Sequence, residues 1–328
     1  MFDMRRREFI TLLGGAATAW PMAARAQEAG KMPRIGYVRS GSFENDPYRQ
    51  WFVRGMRELG WIDGRNISFE FRNYGDDYRA AAPAINDLLR SKVEMIVVGG
   101  TPAVLAAQAA TRTIPILMVV NDPLGSGIIQ TLARPGGNTT GLSALSVELT
   151  AKRLELLREI LPRVGTVAIL KNPDNSTNSM LLKEIEPAAR SLGVALRYFE
   201  ARRPEDLGRA FTAMVEWQSD AVIALDDSVF IAIRAELAAN AIRSRLPLIC
   251  GFREITHAGA LFSYAASLAE NWYRLALYAD KILKGSKPAD LPVEQSSRFE
   301  LVINVKTAKV LGLEIPPTLL ARADEVIE

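Results

Sequence analysis

Chemistry needs reactive side chains held close together, and this chain is sparing with the most reactive ones. It has one histidine, His257, and one cysteine, Cys250. A His-Cys or multi-His metal site is thereby excluded, and no carboxylate loop of the kind that holds calcium is visible. A nucleophile-histidine-acid triad would need His257 itself, and no serine sits in a GxSxG elbow. His257 reads instead as a structural residue at a loop-to-strand junction. Nucleotide loops are missing too. Gly36 and Gly41 do not make GxGxxG, and no GxxxxGK[ST] follows a strand. No catalytic residue, metal or cofactor is expected.

What remains is a set of polar loops at the carboxyl ends of apolar runs. The first series offers Ser40, Gly41 and Ser42, then Gly100 and Thr101, then Asn121 and Asp122. The second offers Asn172, Asn175, Ser176 and Thr177, then Asp226 and Asp227, then Phe252 and Arg253. Hydroxyls, amides and helix N-termini suit a carboxylate, while Asp226 or Asp227 suits an ammonium, so together they fit a small zwitterion such as an amino acid. Phe43, Phe252 and Tyr264 fall in or beside these loops and could stack on a flat ligand.

Each residue alone has a plainer use. Asn121-Asp122-Pro123 is also turn chemistry, and Gly99-Gly100 could either receive an anion at a helix start or simply make a tight turn. Ser176 and Ser228 stand at helix starts, where a serine cap stabilises by about 1 kcal/mol without any ligand. Trp51, Phe52 and Met56, and Trp272 with Leu275 and Leu283, fall at core spacing on helices and read as packing.

The elements that must position these loops alternate with regularity. From Arg34 the chain reads strand, helix (Asp46 as cap, Gly60 as close), strand ISFEFRNY, helix to Arg90, strand MIVVGG, helix from Thr101-Pro102, strand ILMVV. After a glycine break, a stripe of Leu149, Leu154, Leu157 and Leu161 opens a second series with strands TVAILKN, LRYFEA, AVIALDD and PLICG. Strands separated by helices indicate parallel sheets with helices on both faces, and in such sheets ligands bind at the carboxyl ends of the strands.

From Arg5 the chain reads RRREFITLLGGAATAWPMAARAQ, with a charged start, a short apolar middle and an Ala-x-Ala ending. This is a secretory leader over residues 1–26, and Arg6-Arg7 gives it a twin-arginine character. Its removal takes four bases and two acids, so the formal charge of +3 falls to +1. A near-neutral chain has no electrostatic footprint for nucleic acid. No cysteine follows the leader to take a lipid, so the protein is expected free in the periplasm. With a single cysteine it rests on its core rather than on disulfides, and 302 residues (328 minus 26) call for two lobes.

Two stretches carry a family resemblance: NDPLGSGIIQTLARPGGNTTG, from Asn121 to Gly141, and FELVINVKTAKVLGLEIPPTLLARADEVIE, from Phe299 to Glu328. They resemble bacterial ABC-transporter substrate-binding proteins of the tryptophan/tyrosine type. The resemblance implies an α/β fold of the type I periplasmic binding-protein kind, with two doubly wound parallel-sheet lobes joined by a three-segment hinge. It places residues 33–145 and 255–290 in one lobe and 146–254 and 291–328 in the other. The chain would cross near Ala144, Glu254 and Pro292. It further implies a monomer that binds a small solute, an amino acid or aromatic acid, and hands it to a membrane permease and its ATPase. An exported hydrolase or lyase on the same scaffold is the alternative. A repressor-like regulator would need a basic helix-turn-helix where the leader stands.

Overall fold

The computed structural model describes residues 32–42, 44, 46–144 and 146–328; the expected leader and Phe43 lie outside the described residues. In the first lobe, β1 (Arg34–Arg39), β3 (Met95–Gly99) and β4 (Ile116–Val120) are largely apolar and β5 (Thr139–Ser143) is mostly small and hydroxyl-bearing; all four are buried on both faces apart from Arg34 at the start of β1. That pattern is what helices on both sides of a parallel sheet require. β2 (Ser68–Asn73) lies at the edge and is mostly half-buried, and the sheet order is β11-β5-β4-β3-β1-β2, with β11 at Glu294–Gln295. All its pairings are parallel. Helices α1 (Arg49–Glu58), α2 (Ala81–Arg90) and α3 (Thr101–Ala110) connect the strands, and a short 3-10 turn, Tyr78–Ala80, leads into α2. Helix α1 starts three residues beyond Asp46, which accepts from the Tyr48 N–H just ahead of it (2.9 Å).

The second lobe is built from α4 (Ser146–Ile160), β6 (Thr166–Lys171), α5 (Asn178–Leu192), β7 (Ala195–Glu200), α6 (Pro204–Glu216), β8 (Ala221–Ala224), α7 (Ser228–Ala232), α8 (Arg234–Arg243), β9 (Leu248–Cys250), α9 (Arg253–Ala258) and β10 (Phe262–Ala266). The chain then lays α10 (Leu268–Leu283) and β11 on the first lobe and returns through β12 (Phe299–Asn304), α11 (Val305–Leu311), α12 (Pro317–Leu320) and β13 (Glu325–Ile327). The second sheet has the order β13-β12-β10-β9-β8-β6-β7. It departs from the expected all-parallel design, because β12 runs antiparallel to β10 and β13 follows β12.

The expected lobe boundaries need correction at two of the three crossings. β10 pairs in parallel register with β9 (Phe262 opposite Ile249), and α9 packs on α8 and β10, so residues 253–266 belong to the second lobe. Phe262 is fully buried there. The second crossing therefore falls at Ser267 rather than near Glu254. The third falls after Gln295 rather than near Pro292, because β11 still pairs with β5 in the first sheet. Among the described residues no helix is long and apolar enough to cross a membrane, and no cluster of His, Cys, Asp and Glu could hold a metal.

Candidate functional site

Between the lobes, at the carboxyl ends of both sets of parallel strands, lies a cavity with about 40 Å³ of free space. In open α/β sheets that end is where ligands bind. Gly100 and Thr101 follow β3, Asn121 follows β4 and Ala144 follows β5. Across from them stand Asn175 and Thr177 after β6, Asp226, Asp227 and Ser228 after β8, and Phe252 after β9. Arg39, Tyr78 and Trp272 complete the first-lobe wall.

The acidic pair on the second-lobe wall divides its work. Asp226 is bound bidentately by Arg153 of α4, with Nη1 and Nη2 each 3.0 Å from a carboxylate oxygen and both side chains fully buried. The Nε of Arg153 also donates to the carbonyl of Tyr264 (2.9 Å), so the guanidinium ties β8 to β10. Gly251 is glycine for this reason, since a Cβ there would collide with Asp226 Oδ1 and Arg153 Nη2. Among the described residues no cation pairs with Asp227. It caps α7 by accepting from the Val229 N–H (2.8 Å) and takes the Asn175 amide (2.8 Å) on its other oxygen. Burial pushes its pKa up to about 6, against those hydrogen bonds, which favour the ionised form.

On the first-lobe wall, Arg39 stands at the end of β1 with its guanidinium carbon 4.8 Å from the Tyr48 ring centroid and 4.9 Å from that of Trp272. Burial lowers its pKa, but the fields of Asp46 and of Tyr37, Tyr48 and Tyr74 more than offset this, so the cation is kept. Gly99 makes room for the arrangement, because a Cβ there would come within 2.7 Å of Trp272 and 2.9 Å of Arg39 Nη1. Gly100 has φ +89, the left-handed region that favours glycine, and turns the chain into α3. No side chain caps α3, so its first N–H groups are left for a guest.

The lobes are shut on this cavity. Ser40 Oγ donates to the Ser228 carbonyl (2.7 Å), the Ser228 N–H to Tyr78 Oη (3.3 Å), and Tyr48 Oη to Glu254 (2.7 Å), all from one lobe to the other. Burial raises the Glu254 pKa while the Tyr48 hydroxyl opposes the rise.

Of the residues expected from the sequence, the structure brings Gly100, Thr101, Asn121, Asn175, Thr177, Asp226, Asp227 and Phe252 to the cavity wall. The rest lie elsewhere. Ser40, Gly41 and Ser42 line a neighbouring crevice between the lobes with Asp46 and Arg234. Asp122 accepts from the Leu124 and Gly125 N–H groups, the plainer turn role. Asn172 is buried behind Asp227, its amide 3.5 Å away, and Ser176 is exposed. Arg253 pairs with Glu300 (3.1 Å) and Glu325, outside the cavity. The Tyr264 ring packs beside Phe299 in the second lobe, and only its carbonyl serves the site, through Arg153.

Sequence reasoning missed Arg39, Tyr78 and Arg153, and read Trp272 as packing alone. Trp272 does pack, stacked near-parallel with Tyr48, yet it also walls the cavity. The available signal for Arg39 was its place at the carboxyl end of an otherwise apolar strand. His257 sits in α9 beside Glu325 (3.0 Å), outside the cavity lining, and burial pushes the Cys250 thiol up to about 12, which leaves it a poor nucleophile.

Two α/β lobes, each wound on its own sheet and shut over a shared polar cavity, define the type I periplasmic binding-protein class. The chain belongs to the ABC transporter substrate binding protein family, whose model matches residues 44–327, in agreement with the two motifs. It is 24% identical over 271 residues to the "Tyrosine-binding protein" of Clostridioides difficile, covering 82% of this chain and 77% of that one. It is similar to a solved ABC domain from Streptococcus pneumoniae in complex with L-Trp, with 25% identity, a TM-score of 0.82, and coverage of 90% of this chain and 100% of that chain. Against the ligand-free, open structure of a substrate-binding protein from Clostridium difficile the TM-score is 0.62, with 24% identity and coverage of 90% and 99%.

Proposed function

We propose that this chain is the exported solute receptor of an ABC importer, which traps an amino acid or aromatic acid between its lobes and presents it to a membrane permease with its ATPase. The observation that carries this reading is the cavity itself, walled from both lobes and closed by hydrogen bonds between them. A ligand favours the shut form only if it contacts both walls there, and this lining allows it. Phe252, Tyr78 and Trp272 offer flat apolar surface, and Asp227 is a carboxylate without a cation that an ammonium could approach. The ligand in the S. pneumoniae structure and the name of the C. difficile relative make aromatic amino acids the first class to test.

The leader supports residence in the periplasm, and the proposed receptor is a monomer. Turnover is not part of the function, since the sole histidine and the buried cysteine are engaged in structural contacts. The test is a thermal-shift screen of the purified protein against amino acids, aromatic acids, sugars and small peptides. A solute at a hundred times its Kd adds about 2.7 kcal/mol of stability and raises Tm by roughly 5 °C or more. No shift anywhere in such a library would sink the receptor reading.

A further inference from the structure

The first-lobe wall of the cavity holds two buried donors that no protein acceptor takes. Arg39 is 5% exposed and Trp272 fully buried, and both Arg39 Nε and Trp272 Nε1 lack a hydrogen-bond partner. Buried donors are nearly always met, so two unmet ones on one wall of a ligand cavity mark where acceptors arrive with the ligand. Among the described residues no hydrogen bond or ion pair holds the Arg39 guanidinium. Asp46, whose field it feels most, is engaged by the Tyr37 hydroxyl (2.8 Å) and the Tyr48 N–H (2.9 Å).

We propose that Arg39 and Trp272 anchor a carboxylate of the solute, so that the receptor selects organic acids and zwitterions and rejects neutral or purely cationic molecules of the same shape. The reading deepens the receptor function and rests on it. A guanidinium presents its N–H groups in a fixed plane that suits a carboxylate, and stacking beside Tyr48 and Trp272 holds that plane in place before the ligand enters. The uncapped start of α3 at Thr101 lies on the same wall and adds a favourable field for an anion. The charged groups on the opposite wall are the Asp226 and Asp227 carboxylates, beside the Asn175 amide and the Thr177 and Ser228 hydroxyls, so the field there disfavours an anion.

The test compares L-tryptophan, L-tyrosine and indole-3-propionate, which carry the carboxylate, with L-tryptophanamide and tryptamine, which lack it. Binding is read by titration calorimetry on the purified protein, after a thermal-shift screen that also includes sugars. The carboxylates should bind at least about 30-fold more tightly than their amide or amine counterparts. Arg39→Gln and Trp272→Phe should each weaken the acids more than they weaken the amide and amine. Trp272→Phe and the wild-type comparison keep the test decisive if Arg39→Gln does not fold. Equal binding of acid and amide, or acid affinity within twofold of wild type in a folded Arg39→Gln protein, overturns the anchor and leaves the receptor reading standing. A sugar as the only binder does the same. If no compound in the screen binds the wild-type protein, the receptor reading falls and the anchor falls with it.

Discussion

Replacing Arg153 with methionine keeps an unbranched chain of similar length and removes the charge that answers Asp226. The wild-type pair is bidentate at 3.0 Å and wholly shielded from solvent, and a third hydrogen bond goes to the Tyr264 carbonyl. Such a pair adds little over a well-packed apolar core, because desolvating two charges roughly cancels their attraction. Breaking it by removing one member is another matter, as it strands the other charge, and a loss of about 3–5 kcal/mol is expected for Arg153→Met. Asp226→Asn should also destabilise, by leaving the guanidinium buried without its anion. The double variant removes both charges and should lose less than the sum of the two, with a coupling of roughly 2–3 kcal/mol. Urea unfolding followed by circular dichroism measures all four proteins of the cycle. An Arg153→Met loss below about 1 kcal/mol, or strict additivity, would refute the view that this pair holds the acidic end of β8 in place.

Three other outcomes are expected. Gly100→Ala puts a Cβ 2.6 Å from Ser228 Oγ of the other lobe at φ +89, so it should cost about 1–2 kcal/mol in strain and hold the lobes apart. Small-angle scattering with solute should then show no contraction, and a normal contraction would contradict it. Asp227, raised to about 6, binds a proton in the folded protein that the unfolded chain has already lost. Its contribution to stability is therefore full below about pH 4, falls as pH rises, and reaches a deficit of about 3 kcal/mol above pH 6. The stability difference between wild type and Asp227→Asn, measured from pH 4 to 7 without solute, should show that slope, and a flat difference would contradict it. Arg253→Ala should leave solute affinity within about twofold, because its partners Glu300 and Glu325 lie outside the cavity; a larger loss in calorimetry would place Arg253 in the site.

Much of the scaffold was legible because burial on both faces of a strand leaves a continuous apolar run, and the helices between such runs force parallel pairing. The tail motif was legible as a pattern but not as chemistry. In the structure Arg322 pairs with Glu159 (2.9 Å), Asp324 accepts from the Leu301 N–H (2.8 Å), and Glu325 meets Arg253 and His257. These contacts fasten the last strand to the second lobe, and Glu159, Arg253 and His257 lie outside the tail motif in the sequence.

The sequence by itself determined the alternation of strands and helices, the two series, and the rule that their polar loops would gather at one end of each sheet. That was enough to bring Thr101, Asn121, Asn175 and Asp227 to the cavity from strand ends alone. Only the tertiary structure decided which lobe owns β10, which of two adjacent aspartates is already paired, and that Arg39 and Trp272 face the cavity. The physical reason is that periodicity reports whether a side chain is buried, not what it is buried against. Trp272 has the same helical spacing whether it meets core or cavity, and Arg153 and Asp226 are 73 residues apart until the fold closes the distance.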